Sequence, residues 1–113
     1  MAYIGDAVFE ICVRSKVLAD ARTHVNELHK TSTKYVKAEA QSKMYHLLET
    51  QVTDEELAVL KRGRNAKSYT KAKNASLLDY RHATGVEALF GYLFLKGNIE
   101  RVMELFEICM KGC

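Results

Sequence analysis

The stretch AYIGDAVFE, residues Ala2 to Glu10, decides how this chain is organised, because a single Gly-Asp step lies inside an apolar helical run. From Tyr3 to Val13 the only charged residues are Asp6 and Glu10. A helix that is apolar on nearly every side is a buried helix, and a carboxylate on it is rarely left without a partner or a cation. We therefore predict a buried helix from about Tyr3 to Leu18, with Asp6 in need of a partner.

The spacing of the apolar residues predicts which face of this first helix is buried. Phe9 and Val13 fall on the side opposite to the predicted stripe, next to the two acids. The stripe follows the helical spacing i, i+3, i+4, i+7 and i+8, and its members are Ile4, Ala7, Val8, Ile11 and Cys12.

A second apolar stretch, VEALFGYLFL from Val86 to Leu95, carries one charge, Glu87. Since burying a lone ionised carboxylate is costly, Glu87 should be neutral, paired with a basic residue or bound to a metal. If the two helices pack together, Asp6 and Glu87 can meet, and the usual reason to assemble two acids is a hard divalent cation such as Mg²⁺. Gly91 either marks a close helix approach or is a tolerated glycine.

Length and composition bound the fold class. The chain has 113 residues, of which 48% are hydrophobic and 27% charged, and it contains no proline. These values favour one globular, all-α domain rather than a sandwich or barrel. No run approaches a membrane span and no secretory signal precedes the first helix. Cys12, Cys109 and Cys113 have neither CxxC nor zinc-ligand spacing, so we predict a cytoplasmic protein with reduced thiols.

Positive charge is concentrated in one segment. No acid occurs from Leu57 to Leu78, whereas the same segment contains six lysines and arginines. Such a cluster is the electrostatic footprint of a polyanion partner, although a solvated linker gives the same pattern. Tyr69 and the fork-shaped donors of Arg62 and Arg64 favour nucleic acid.

Local signals divide the rest of the chain into helices. Arg22 to Lys30 is predicted to be a connection with a helical turn at Asn26 to His29, followed by one long helix from Ser32 or Thr33 to Leu48. Thr53 and Glu56 form a capping-box pattern for a helix that is expected to stop at Gly63. A flexible basic loop of about a dozen residues should follow.

Two further helices complete the prediction. Asn74 or Ser76 can cap the helix that contains Glu87, which should end at Lys96 with Gly97 as its C′ residue. Asn98 can cap a last helix that ends at Gly112. Its predicted apolar stripe consists of Ile99, Val102, Phe106, Cys109 and Met110. The total is five or six main helices without a convincing strand.

The motifs AYIGDAVFE and ATGVEALFGYLFL, with RGRNAK between them, resemble the ribonuclease III endonuclease domain. They are most similar to its Mini-III branch, which has no separate double-stranded-RNA-binding domain. The resemblance covers essentially the whole chain, residues 1–113. It implies a ribonuclease III-like helical fold, with Asp6 and Glu87 as the catalytic and metal-binding acids and with Mg²⁺, replaceable by Mn²⁺, as cofactor. The family usually has a helix before the first motif, so we expect a short N-terminal helix to be missing here.

The same resemblance implies a substrate and an assembly. It suggests a homodimer that cuts double-stranded RNA in ribosomal RNA precursor maturation, leaving short 3′ overhangs. The first signature helix would lie at the dimer interface, where the surplus residues Phe9 and Val13 are candidate contacts. The basic loop would lie beside the catalytic groove. Its predicted RNA-binding residues are Lys61, Arg62, Arg64, Asn65, Lys67, Lys71 and Lys73.

The sequence also departs from the wider family. Further carboxylates of the family at large are replaced here by Ala2 and Thr84, as they are in Mini-III-like sequences. Glu10 either joins the metal site or forms an i,i+4 ion pair with Arg14. Taken alone, Asp6 is also explained as a first-turn acid favoured by the helix dipole.

Three alternatives therefore stay open on the sequence alone. Glu87 by itself is also explained by pairing with Arg81 or with a lysine of the basic loop. A catalytically inactive RNA-binding or ribosome-associated scaffold has the same features without the metal. A small helical module whose basic loop binds an acidic protein is the third alternative.

Overall fold

The computed structural model describes residues 1–20, 25–66 and 76–112, except for the side chains of residues 25 and 26. Within these residues it contains six helices and no strand, which confirms the all-α prediction. None of the described helices is long and apolar enough to cross a bilayer. The helices are α1 (Ala2–Asp20), α2 (Val25–Val36), α3 (Ala38–Glu49), α4 (Asp54–Asn65), α5 (Leu77–Leu95) and α6 (Ile99–Lys111).

Helix α5 is the centre of the fold. It packs against α1, α3, α4 and α6, so it has neighbours on most of its sides. This explains why its sequence is apolar nearly all round, since each face must match another helix. Its core side chains, each at most 2% exposed, are Val86, Leu89, Phe90 and Leu93.

Glycines let α1 approach α5 closely at what we call the first crossing. A Cβ atom on Gly5 would lie 1.6 Å from the carbonyl oxygen of Glu87. A Cβ atom on Gly91 would lie 2.2 Å from the carbonyl oxygen of Met1. Neither contact is possible for a real side chain, so both positions need glycine and Gly91 does mark a close helix approach.

A second crossing, between α4 and α5, uses another glycine pair. A Cβ atom on Gly63 would lie 2.6 Å from the Ala88 Cβ, and one on Gly85 would lie 2.7 Å from the Leu60 carbonyl oxygen. The prediction that α4 stops at Gly63 was therefore wrong. The helix continues to Asn65, because Gly63 is used for packing rather than for termination.

The predicted register of α1 was also wrong. Phe9 and Val13 are 1% and 0% exposed, whereas Ile11, which was assigned to the buried stripe, is 65% exposed. Phe9 packs edge-on against Phe90 and Phe106, with ring centroids 5.3 and 5.8 Å away. Phe9 and Val13 are thus core residues and not dimer contacts. A helix that is apolar almost all round has no distinct polar face, so the glycine crossing decides which side turns inward.

The prediction of one long helix from Ser32 or Thr33 to Leu48 was also wrong, because two helices, α2 and α3, occupy this segment. The chain breaks at Lys37, whose backbone is extended (φ −63°, ψ 145°), and α2 already begins at Val25 where a connection was expected. No glycine or proline marks the break in the sequence. The packing of α2 on α1 and of α3 on α5 accounts for it.

The capping predictions were confirmed where the chain is described. The Thr53 amide donates to Glu56 Oε1 at 2.9 Å and the Glu56 amide donates to Thr53 Oγ1 at 3.2 Å. Ser76 caps α5 by accepting from the Asp79 amide at 3.0 Å, while the alternative cap Asn74 lies outside the described residues.

Helix α6 agrees with its predicted start and in part with its predicted stripe. Asn98 caps it by accepting from the Arg101 amide at 3.3 Å, and Gly97 just before it has a φ of 78° that favours glycine. Ile99 is 45% exposed although it was predicted to pack inward, and Leu105, which was not predicted, is fully buried.

Candidate active site

The structure brings the two predicted acids, Asp6 and Glu87, into contact. Asp6 follows Gly5 on α1, and Gly5 lies against the backbone of Glu87 on α5. The two carboxyl side chains are joined by a hydrogen bond. The close glycine crossing is therefore what places acids that are 81 positions apart in the sequence next to each other.

The electrostatics of this pair are unusual. Burial, followed by the hydrogen bond and the negative charge of Asp6, raises the pKa of Glu87 from 4.5 to about 8, while a hydrogen bond with Gln41 opposes this shift. At neutral pH the metal-free pair therefore holds a proton, and the protonated Glu87 donates to the Asp6 carboxylate. This shared proton allows two acids to touch in a half-buried place.

The donor set fits a divalent cation. In the described part of the chain, no lysine or arginine forms an ion pair with Asp6 or Glu87, and Arg81, one alternative partner of Glu87, forms none. Asp6 is exposed and Glu87 half-buried, so solvent reaches the pair. Mg²⁺ is commonly held by one or two carboxylates, with waters and phosphate oxygens as its other ligands. Asp6 and Glu87 are the residues that would hold it.

Glu10 lies outside this acid pair. Its Oε1 accepts from Arg14 Nε at 2.8 Å, which is the i,i+4 ion pair that was one of its two alternatives. Across residues 1–20, 25–66 and 76–112, no cluster of three or more histidine, cysteine or acidic side chains is suited to hold a metal. The described site thus has two carboxylates.

A cleft of about 260 Å³ lies where α1, α4 and α5 meet, and neither Asp6 nor Glu87 is among its lining residues. Ala2 and Thr84, which occupy the positions of the wider family's further acids, both line it, and the Thr84 hydroxyl donates to the Tyr80 carbonyl of its own helix at 2.9 Å. Arg62 contributes a positive charge to the lining. The cleft therefore offers one positive side chain, Arg62, to an anionic group.

The predicted RNA-binding residues fall into two groups. Lys61, Arg62, Arg64 and Asn65 lie in the last turns of α4 rather than in a loop, which corrects the predicted loop start. Lys61, Arg62 and Asn65 are exposed, and Arg64 is half-buried. The other three, Lys67, Lys71 and Lys73, lie outside the described residues.

Arg64 has contacts within the protein. Its Nη1 donates to the Tyr45 hydroxyl at 3.1 Å and its Nε donates to Asn65 Oδ1 at 3.0 Å. Tyr45 is buried and stacks on His82 at 4.4 Å between ring centroids, and His82 Nδ1 lies 2.9 Å from Ser42 Oγ. Arg64 thus anchors the end of α4 to this aromatic cluster, while Arg62 stays exposed.

Sequence reasoning missed Gln41 of α3. Its side chain is 2% exposed, and it acts to lower the pKa of Glu87. The available signal was its spacing, because Gln41 shares the helical positions i, i+3, i+4 and i+7 with Met44, Tyr45 and Leu48, all of them buried. A polar amide on such a face needs a buried partner.

Comparison with known proteins agrees with this geometry. A family model described as the Ribonuclease III domain matches residues 1–98. The Mini-ribonuclease 3 of Brevibacillus brevis is 48% identical over 107 residues, 95% of this chain and 80% of that protein. The Mini-ribonuclease 3 of Clostridium tetani is 48% identical over 109 residues, 96% of this chain and 72% of that protein.

The fold is also found among solved structures. A crystal structure of a Fusobacterium nucleatum protein superposes with a TM-score of 0.86 and 27% identity, covering 98% of this chain and 88% of that one. Fold, acid pair and sequence identity agree, and the chain therefore belongs to the ribonuclease III family, in its Mini-ribonuclease 3 branch.

Proposed function

We propose that this protein, acting through one catalytic domain over residues 1–113, is a Mg²⁺-dependent endoribonuclease that cleaves double-stranded RNA as a homodimer. That it is a ribonuclease follows from its family. The metal, the double-stranded substrate and the dimer are inferred, and the observation that supports them most directly is the hydrogen-bonded pair of Asp6 and Glu87.

The acid pair is suited to hold a divalent ion at a phosphodiester. When bound, Mg²⁺ supplies charge neutralisation of the phosphate and activation of a water. The exposed Asp6 and the half-buried Glu87 would hold the ion, and Glu87 would then lose the proton that it shares with Asp6. Mn²⁺ is expected to substitute, because it takes the same oxygen ligands.

The charge around the cleft supports contact with an RNA backbone. Lys61 and Arg62 are exposed on α4, and Arg62 lines the cleft where α1, α4 and α5 meet. Double-stranded RNA is recognised mainly by its shape and by phosphate and 2′-hydroxyl contacts, which surface cations of this kind supply. The predicted roles of Asn65, Lys67, Lys71 and Lys73 are kept as part of this proposal.

Cutting both strands of a duplex favours a two-fold dimer, because each domain holds one acid pair and isologous dimers are the commonest oligomers. Helix α1 presents an apolar surface for such a contact. Tyr3, Ile11 and Leu18 are 94%, 65% and 68% exposed and are spaced along one face of the helix. We propose that these residues, in place of Phe9 and Val13, form the dimer contact.

The biological setting is proposed from the branch alone. Maturation of ribosomal RNA precursor ends in the cytoplasm, with products that carry short 3′ overhangs, is what the resemblance to Mini-III proteins implies. The described helices are consistent with this setting in that none is suited to span a membrane.

The test is cleavage of a long duplex RNA by the purified protein. Wild type should cut in Mg²⁺ and stop when the ion is chelated, and Asp6→Asn and Glu87→Gln should each lower the rate by at least about a hundredfold, since each removes a carboxylate ligand. If wild type and both variants behave alike, the proposed activity is wrong. Duplex binding without cleavage would indicate the inactive scaffold instead.

A further inference from the structure

Each end of α4 is bound to another helix through an arginine. At the first turn, Arg101 of α6 donates to both carboxylate oxygens of Glu56, at 2.8 Å each. At the last turn, Arg64 donates from Nη1 to the hydroxyl of Tyr45 on α3, at 3.1 Å. The first arginine is thus paired with an acid, and the second with a neutral group.

Arg64 consequently keeps its positive charge. Its other contact, from Nε to Asn65 Oδ1 at 3.0 Å, is also with a neutral acceptor. Within residues 1–20, 25–66 and 76–112, no carboxylate forms an ion pair with Arg64. A carboxylate would hold the guanidinium more strongly, because hydrogen bonds between ionised groups are stronger than those to neutral groups. Neutral acceptors hold it and still leave its charge to an anion from outside the chain.

Tyr45 is suited to hold another side chain, because it is itself fixed by its surroundings. It is 1% exposed, and its ring stacks on His82 with 4.4 Å between the ring centroids. A Cβ atom on Gly85 would lie 3.1 Å from its Cε2, and His82 Nδ1 lies 2.9 Å from Ser42 Oγ. The Tyr45 hydroxyl is therefore a fixed acceptor for the half-buried Arg64.

The last turns of α4 are where such fixing matters for an RNA contact. Lys61 and Arg62 are exposed there, on the same end of the helix as Arg64. Helix ends fray, and a long basic side chain must lose rotamer freedom when it binds a phosphate. A side chain that is already held in one orientation loses less of this freedom, so it binds more tightly. Arg64 has five N–H donors, of which these two contacts use two.

We propose that Tyr45 is a positioning residue for RNA binding, which holds the Arg64 guanidinium so that it meets a phosphate of the duplex. This inference rests on the proposed function, because it assumes that double-stranded RNA is the ligand. It assigns a role in binding to a buried residue of α3, a helix that holds none of the RNA-binding residues predicted from the sequence.

The test measures binding of a synthetic RNA duplex to the full chain, with a chelator present so that no strand is cut. Tyr45→Phe removes only the hydroxyl and keeps the stacked ring. We expect its Kd for the duplex to rise by about 2- to 10-fold, the cost of ordering one side chain on binding. The slope of log affinity against log salt concentration should stay at the wild-type value, because the charge of Arg64 is retained.

Arg64→Gln tests whether the hydroxyl acts through this arginine. Its slope should be lower than that of wild type by about 1, as expected for the loss of one phosphate contact. Adding Tyr45→Phe to Arg64→Gln should raise the Kd no further, because the hydroxyl then has no arginine to hold. In Mg²⁺, Tyr45→Phe should raise the KM for the duplex and leave kcat near the wild-type value.

Tyr92→Phe is the matched control. The hydroxyl of Tyr92, on α5, donates to the Glu55 carboxylate in the first turn of α4, so the same atom is removed at the opposite end of the same helix. Its Kd for the duplex and its salt slope should equal those of wild type. Circular dichroism shows that each compared variant is folded.

The outcomes separate the two proposals. If wild type binds the duplex and Tyr45→Phe binds it equally well, the positioning role is wrong while the proposed function stands. If wild type does not bind the duplex, the proposed substrate is wrong and the role of Tyr45 with it. An unchanged salt slope in Arg64→Gln, a further loss in the double variant, or an equal loss in Tyr92→Phe would each overturn the inference.

Discussion

Helix α5 makes two close crossings through glycines, and they differ in the side chains that they bring together. At the first crossing, Gly5 and Gly91 bring together two acids that touch only because they share a proton. At the second crossing, Gly63 and Gly85 lie beside a cluster in which Arg64 donates to Tyr45. Close glycine packing thus builds an acid pair that could hold a cation in one place and an internally hydrogen-bonded anchor in the other.

This contrast shows that the candidate metal-binding acids and the stabilising polar cluster of this small helical domain are different groups. The cluster of Ser42, Tyr45, Arg64 and His82 satisfies its polar groups internally, through hydrogen bonds and ring stacking. The acid pair is instead held together by a shared proton, and among the described residues no basic side chain forms an ion pair with it. Acidic groups without a basic partner are candidates for a functional site.

The largest expected effect comes from a substitution that prevents α1 from packing closely against α5 at the first crossing. Gly5→Ala places a Cβ atom 1.6 Å from the Glu87 carbonyl oxygen, so α1 must move away and separate the acids. We expect the free energy of unfolding to fall by at least about 2 kcal/mol and cleavage to fall by at least about a hundredfold. Urea denaturation and duplex-RNA cleavage measure the two effects.

Gly97→Ala is the control for that prediction. Gly97 has a φ of 78° but no atom within 4 Å of an added Cβ, so alanine there should cost about 1 kcal/mol through backbone strain and leave cleavage unchanged. Equal stability losses in Gly5→Ala and Gly97→Ala would show that the first crossing is not as close as described.

The second crossing should respond differently from the first. Gly85→Ala meets the Leu60 carbonyl oxygen at 2.7 Å, and we expect it to cost about 1–3 kcal/mol of stability by overpacking. Because this clash lies on the α4 side of α5, the Kd for Mn²⁺ of the folded protein should stay near the wild-type value. A loss of cleavage in folded Gly85→Ala as large as that in Gly5→Ala would contradict the distinction between the crossings.

The proton shared by the acid pair predicts how stability depends on pH. The pKa of Glu87 is about 8 in the folded protein and 4.5 in the unfolded chain, so between these values the folded state binds the extra proton. Its contribution to stability is complete below pH 4.5 and is lost as the pH rises toward 8, with a slope of at most about 1.4 kcal/mol per pH unit. Metal-free wild type should therefore lose stability from pH 6 to pH 8, as followed by urea denaturation.

Glu87→Gln isolates this effect, since glutamine keeps the shape and does not titrate. His82 and other groups titrate in both proteins, so their effects cancel in the difference in unfolding free energy between wild type and Glu87→Gln. As the pH rises, this difference should shift against wild type, because only wild type loses the proton of Glu87. A difference that does not change between pH 6 and pH 8 would contradict the raised pKa.

A smaller effect separates the two arginines at the end of α4. Arg62→Gln should leave the unfolding free energy unchanged, because Arg62 is exposed in the cleft. It should lower the slope of log affinity for duplex RNA against log salt concentration by about 1, as expected for the loss of one phosphate contact. Arg64→Gln should cost about 1 kcal/mol of unfolding free energy, because it loses the hydrogen bond to Tyr45. Equal unfolding free energies of Arg62→Gln and Arg64→Gln would contradict the anchoring role of Arg64.

The smallest effect is expected for the third acid near the site. Glu10→Gln breaks an ion pair with Arg14 that is largely at the surface, so stability should change by less than about 0.5 kcal/mol. The Kd for Mn²⁺ should also stay unchanged. A clear loss of Mn²⁺ affinity would place Glu10 in the metal site after all.

Much of the local structure could be predicted from the sequence. The caps at Thr53, Ser76 and Asn98 depend on a side-chain oxygen a few residues from the amide that it accepts from, so they can be seen in the sequence. The two acids were found because a charge inside an apolar helical run is rare. These are short-range chemical signals, independent of what the helix later packs against.

The tertiary structure alone decided the rest. It decided that Phe9 and not Ile11 faces the core, that the chain breaks at Lys37, and that Gln41 is buried. A helix that is apolar on most sides has several faces it could bury, and the choice among them is made by the partner surface, here the glycine crossing with α5. The sequence by itself determined an all-helical chain with two acids inside apolar helical runs, and the packing of α5 determined that those acids meet.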